Sequence, residues 1–218
     1  MAENLETIGQ SAIEHLAFKH AARERALPKS RTAIRYCANS IRAAHRQEFS
    51  AAQELLSHAA SLVAEIAADL QQHQDIYYAG FAQDAQKEYT EAATFAALIQ
   101  RHPLPTADEL GVGWPAYLNG LGEAVGELRR YILDQLRQGH YEDCETYLRS
   151  MDDIYALLIS VDFPDAITAG LRRTTDVTRG ILEKTRGDLT SAIGQLHLQQ
   201  SMQALQQELQ RHRAGSYS

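Results

Sequence analysis

The chain has 218 residues, which at roughly 100–200 residues per domain is one domain, or two small ones at most. It carries 21 Lys and Arg against 28 Asp and Glu, a formal charge of −7. Net charge therefore excludes bulk attraction to a polyanion, and any contact with nucleic acid or an anionic membrane needs a local basic patch. Two cysteines, Cys37 and Cys144, are too few for a zinc site of their own or a secreted disulfide scaffold. The acidic start, Met1 to Glu6, lacks the apolar run of a signal peptide, and no stretch approaches the roughly 18 apolar residues of a membrane span. These features predict a soluble, cytoplasmic protein that makes no membrane contact.

Helix formers dominate, glycine is absent between Gly9 and Gly80, and period-two strand signals are missing. The chain reads as all-α, a single domain over 1–218 with a flexible tail from about 212. Caps and prolines set the expected elements. A first helix runs from about Asn4 to Ala26 and stops before Pro28. Ser30 caps a second that meets no breaker until near Asp75, about 65 Å at 1.5 Å per residue. A third spans about Asp75 to Arg101. After Pro103-Leu104-Pro105, Thr106 caps a short helix, and Pro115 fits the first turn of a fourth that ends at Gly139. A fifth runs from about Tyr141 to Val161, Phe163-Pro164 interrupts, and a last long helix continues from Asp165 to about Arg211. Helices this long cannot all bury themselves in one small bundle, so their length predicts packing against other subunits.

Charge is distributed unevenly. Between residues 18 and 46 there are eight Lys and Arg and one acid, Glu24. At about 100° per residue, Arg31, Arg35, Arg42 and Arg46 fall on one stripe of a helix. Arginine offers fork-shaped donors that match phosphate oxygens, so the stripe suits a nucleic-acid backbone. The plainer alternative is a solvated face paired with acids on a neighbour, although the stripe lacks the interleaved Glu at i+4 that such faces usually carry. Arg172 and Arg173, near the start of the last helix, suit either a phosphate or a bridge between subunits.

A second pattern is acidic. Asp84, Glu88 and Glu91, spaced by four and three, share one helix face, and Glu123 and Glu127 share another among Gly120, Gly122 and Gly126. Carboxylates that converge repel one another and need a proton or a cation. Hard ions such as Mg²⁺ or Mn²⁺ prefer oxygen ligands and assist phosphodiester cleavage. The plainer alternative pairs these acids with Lys87, Arg129 or Arg130 on exposed helix surfaces. The Glu-x-x-His of di-iron bundles is absent, as are HExxH, GxxxxGK[ST], CxxC and GxSxG. Tyr77, Tyr78, Phe81 and Tyr89 read as core packing, with stacking on bases as the alternative.

Several runs together resemble the translin family. They are SRTAIRYCANSIRAAHR (Ser30 to Arg46), QKEYTEA (Gln86 to Ala92), YLNGL (Tyr117 to Leu121) and GELRR (Gly126 to Arg130). DFPDAITAGLRR (Asp162 to Arg173) and RGDLT (Arg186 to Thr190) resemble its prokaryotic members. The resemblance implies an all-α protomer of about seven helices in a hollow homo-oligomer, commonly an octamer, that binds single-stranded RNA or DNA on its inner surface. Translin proper mainly binds nucleic acid. Translin-associated factor X carries a Mg²⁺-dependent endoribonuclease site of Glu-x-x-Glu and Asp-x-x-x-Glu. The first pair matches Glu88 and Glu91, and the second matches Glu123 and Glu127, with Glu123 where the catalytic branch has Asp. The resemblance thus implies Glu88, Glu91, Glu123 and Glu127 as catalytic Mg²⁺ ligands, with Mn²⁺ as an alternative ion. It also implies Arg31, Arg35, Arg42 and Arg46 as the residues that hold the strand. A non-catalytic single-strand binder is the alternative function.

Overall fold

A computed structural model of the chain describes residues 2–215, with side chains from 4 to 212. Among the described residues there are nine helices and no strand: α1 (Ala2–His45), α2 (Phe49–Asp69), α3 (Gln74–Tyr77), α4 (Gly80–Ile99), α5 (Ala107–Leu110), α6 (Trp114–Arg137), α7 (Cys144–Ser160), α8 (Asp165–Thr168) and α9 (Leu171–Gly215). α3, α5 and α8 are single turns. The all-α reading holds, and the boundaries differ from expectation mainly at two places.

The first is Pro28, where α1 continues instead of stopping. A proline inside a helix removes one hydrogen bond and crowds the carbonyl four residues back, at a cost of about 3 kcal/mol. Anchors on both sides outweigh it. Ala22, Ala26 and Ala33 are buried, Lys29 reaches Glu65 and Asp69 of α2 at 2.8 Å each, and the Ser30 hydroxyl donates to Phe81 O at 2.6 Å.

The second is Gln47, with φ of 62°, which divides the expected second helix and begins the turn into α2. The Gln47 N–H donates to Ala44 O at 2.9 Å and the Glu48 N–H to Ala43 O at 3.0 Å, the paired bonds of a Schellman motif. A left-handed residue other than glycine costs about 1–2 kcal/mol. Here Arg46 spans the turn with two hydrogen bonds to Glu48, at 2.8 and 2.7 Å. No glycine or proline marks the turn in the sequence.

Elsewhere the local signals carry through. Thr106 and Glu109 form a reciprocal capping box at α5, and Pro115 sits in the first turn of α6. The expected third helix is split into α3 and α4, and Pro164 precedes α8. α9 continues through Gly215, beyond the expected end, and the rest of the predicted tail, 216–218, lies outside the described residues.

α1 and α2 form a helical hairpin, α4 packs on α1, α6 packs on α4, and α7 and α9 both pack on α6. Phe95 of α4 and Leu121, Leu128 and Ile132 of α6 fill the centre. The ends of the two longest helices outrun this core. Leu5, Ile8 and Leu16 of α1, and Leu198, Met202, Leu205 and Leu209 of α9, are all more than half exposed. No helix among the described residues is long and apolar enough to cross a membrane.

Candidate metal and nucleic-acid site

One glycine brings the acidic helices α4 and α6 together, and a second seats α9 on α6. A Cβ at Gly120 would lie 2.6 Å from Lys87 O and 2.6 Å from Thr90 Cβ, so α6 can approach α4 this closely only with glycine there. A Cβ at Gly122 would lie 2.4 Å from Thr174 Cγ2, and this fixes α9 against α6 in the same way. Gly126 plays no such part, since its nearest neighbour, Ile181 Cδ1, is 3.9 Å away.

The close approach gathers three of the four expected carboxylates. One oxygen from each of Glu88, Glu91 and Glu123 lies within 4.8 Å of the others. Glu91 is only 9 % exposed, and its carboxyl is pushed up to about 8, first by burial and then by the charges of Glu88, Glu123 and Glu127. Glu88 is also raised, first by burial and then by Glu123, with Asp84 adding to the effect and Lys87 opposing it. Lys87 Nζ sits 2.7 Å from Glu123 Oε1, the contact that the plainer reading of these acids anticipated. Burial pulls Lys87 down, but Glu123, Glu88 and Asp84 outweigh it and raise its pKa.

Glu127 is held separately, outside the three converging oxygens. His45 Nε2 donates to Glu127 Oε2 at 2.6 Å and keeps this carboxyl below its ordinary range. His45 packs its ring against Phe95 at 4.6 Å, and its Nδ1 is buried without a hydrogen-bond partner among the described residues. The sequence reading gave His45 no role. Its signal is a histidine eight residues after the fully buried Cys37 on the inward face of α1. The sequence likewise gives Cys37 no role beyond being one of two cysteines, too few for a zinc site. Burial, then Glu88 and Glu91, push that thiol up to about 12, in keeping with the packing of α1 on α4.

The four arginines remain on the outside. Arg31, Arg35, Arg42 and Arg46 are all exposed. Arg46 is committed to Glu48, and Arg42 Nη1 donates to Asn39 Oδ1 at 2.9 Å. Arg31 and Arg35 make no ion pair among the described residues. By helical geometry the stripe lies about 110° around α1 from the face carrying Cys37 and His45. The stripe therefore lies on a different face of α1 from the one that meets the acidic helices. Asp84 is exposed at the rim, and Tyr89 is buried as expected, whereas Tyr78 is open to solvent.

The donor set suits a hard divalent cation. Every converging atom is a carboxylate oxygen, and the fold holds these like charges together against repulsion and desolvation that two of them show as raised pKa values. A cation at this point relieves both penalties.

Residues 19–187 match the Translin family. An uncharacterised protein of Methanocaldococcus jannaschii is 30 % identical over 199 residues, covering 89 % of this chain and 86 % of that protein. Among solved structures, the AfC3PO–duplex RNA complex aligns with a TM-score of 0.79 and 34 % identity, over 84 % of this chain and 95 % of that one. Apo-NeC3PO aligns with a TM-score of 0.75 at 20 % identity, over 88 % of this chain and 98 % of that one, and speaks to the fold alone. With a match that spans most of its length, the chain belongs to the translin family.

Proposed function

We propose that the protein binds RNA and cleaves it as a divalent-metal-dependent endoribonuclease, in a closed homo-oligomer whose sites face an enclosed space. The observation that carries this reading is the trio of mutually repelling oxygens from Glu88, Glu91 and Glu123 within 4.8 Å of one another. Those three residues hold Mg²⁺ or Mn²⁺, and Glu127, fixed by His45, completes the acidic wall. The bound cation supplies positive charge that stabilises the phosphodiester transition state and eases deprotonation of water. The protein's own part is to hold the acids in register through the Gly120 contact and to keep the strand in place by its phosphates. Arginines along α1 contact backbone rather than base edges, so sequence preference is weak. A similar protein has been solved with duplex RNA, which supports RNA as the ligand class. Single strands are the preferred substrate in our reading, and the apolar helix ends supply the contacts between subunits.

A second reading has its own observation. The Lys87–Glu123 contact at 2.7 Å already neutralises one of the three acids, as a structural ion pair in a non-catalytic binder would. One experiment separates the two. Purified protein is incubated with labelled single-stranded RNA in Mg²⁺, Mn²⁺ or EDTA, beside a Glu88→Ala/Glu91→Ala variant. Cleavage that needs the ion and disappears in the variant, with RNA binding retained, is the expected result. Binding without product in either ion assigns the protein to the non-catalytic branch.

A further inference from the structure

The geometry points to Arg173 as a binding residue for a backbone phosphate of the RNA, in the cavity that the acidic cluster lines. This assignment rests on the reading of that cluster as the cleavage site. A cavity of about 620 Å³ opens between α4, α6 and the first turn of α9. Asp84, Glu91 and Glu123, from α4 and α6, line it together with Arg173 of α9. An anionic strand enters such a space only where its charge is met. Lys87, the other cation lining the cavity, is already committed to Glu123. Arg173 is exposed and makes no ion pair among the described residues, although Asp176 follows three positions later on the same helix.

The backbone beneath Arg173 is fixed. The Thr174 hydroxyl donates to Asn119 Oδ1 at 2.6 Å, and Asn119 Nδ2 donates to Thr168 O at 3.0 Å. Thr174 also fills the space that a side chain at Gly122 would need, and Gly122 precedes Glu123. Arg173 thus hangs from a rigid point with a set relation to the acids, while its guanidinium remains free to grip. Anchoring the base of a ligand-binding side chain in this way lowers the ordering cost of binding.

α1 reaches the acids of α6 through the His45–Glu127 hydrogen bond at 2.6 Å, and Arg173 lines the same cavity as Glu91 and Glu123. Arg172 is the internal control, because it lines a separate cavity shared with the acids Asp162, Asp165 and Asp176.

The test measures affinity for a fluorescent single-stranded RNA by anisotropy in EDTA, across a salt series. It uses the full chain as wild type, Arg173→Ala, Arg173→Lys, Arg172→Ala and Glu88→Ala/Glu91→Ala. We expect Arg173→Ala to weaken binding about tenfold and to lower the salt slope by about one. Arg173→Lys recovers part of the loss, and Arg172→Ala matches wild type. In Mg²⁺, Arg173→Ala raises KM more than it lowers kcat. Unchanged affinity and slope in Arg173→Ala, or an equal loss in Arg172→Ala, overturns the assignment. So does a change of oligomer mass on light scattering, which makes Arg173 a subunit contact. If no form cleaves RNA but the loss specific to Arg173 persists, the nuclease reading fails and the phosphate contact stands. If wild type binds no RNA, both fall.

Discussion

The two charged regions of this molecule are handled in opposite ways. The arginines of the α1 stripe are exposed and spread along a helix, and Arg31 and Arg35 make no ion pair among the described residues. The acids of α4 and α6 are drawn inward until three oxygens lie within 4.8 Å of one another and Glu91 is almost wholly covered. Exposed charges cost little to keep and contribute little to stability. Buried like charges cost a great deal unless a proton or cation joins them. The acidic region therefore carries the sharper functional signal, since the fold maintains it against its own electrostatics.

The largest expected effect sharpens that contrast. Glu91→Gln keeps the shape of the side chain and removes the negative charge that it would carry once a cation displaces its proton. If the acids hold the catalytic ion, this variant loses cleavage by on the order of 10²–10³ in kcat, while RNA affinity in EDTA stays near wild type. An arginine substitution on α1 gives the reverse pattern, with affinity reduced and kcat little changed. Single-turnover assays with titrated Mg²⁺ read both. A Glu91→Gln enzyme that cleaves normally removes the acids from the mechanism.

The same residue predicts a pH effect. Folded Glu91 keeps its proton up to about pH 8, whereas an unfolded carboxyl releases it near 4.5. Across that window the folded state binds more protons, so stability is greatest below it and falls as pH rises through it. In EDTA, the denaturation midpoint should decline between about pH 5 and 8, and Glu91→Gln should flatten the decline. At pH 8 the variant should be more stable than wild type by about 2 kcal/mol or more. Saturating Mg²⁺ should restore the wild-type protein. A flat wild-type profile in EDTA would mean that the trio is not electrostatically strained.

The acidic region also depends on backbone proximity that the basic one does not need. Gly120→Ala puts a methyl group against Lys87 O and Thr90 Cβ, both at 2.6 Å. Backbone cannot yield as a long side chain can, so we expect a loss of about 1–3 kcal/mol and weaker Mg²⁺ binding as α4 and α6 move apart. Gly126→Ala, whose Cβ meets only Ile181 Cδ1 at 3.9 Å inside a helix, should stabilise by about 0.5–1 kcal/mol. Urea denaturation and calorimetric Mg²⁺ titration compare the two.

Legibility in the sequence followed the range of the interaction. The Thr106 cap and Pro115 at the start of α6 were readable because their partners lie within one turn. The passage of α1 through Pro28 was not, because what holds it is Glu65, Asp69 and Phe81, each tens of residues away. The turn at Gln47 was hidden for another reason, since a glutamine there gives no warning of a left-handed backbone. In the site, spacing alone put Glu88 with Glu91 and Glu123 with Glu127. Only tertiary packing separates Glu127 toward His45 and adds Glu123 to the other pair. The resemblance to a known family supplied the link between the two acidic helices that periodicity could not.

The smallest expected effect divides the basic stripe itself. A helical wheel treats Arg31, Arg35, Arg42 and Arg46 alike, but their surroundings differ. Arg46 already gives two hydrogen bonds to Glu48, so a phosphate must compete for it. Arg35 has no carboxylate partner among the described residues and binds a phosphate without first losing one. Arg35→Ala should therefore weaken RNA binding by about threefold to tenfold and reduce the salt slope by about one. Arg46→Ala should change affinity less and lower stability slightly, because the Gln47 turn loses its bridge. Glu48→Gln frees Arg46 and should tighten RNA binding, while Arg35→Ala retains its effect in that background. Equal losses at positions 35 and 46, with no gain from Glu48→Gln, would show that the stripe acts as a diffuse field of charge rather than as individual phosphate contacts.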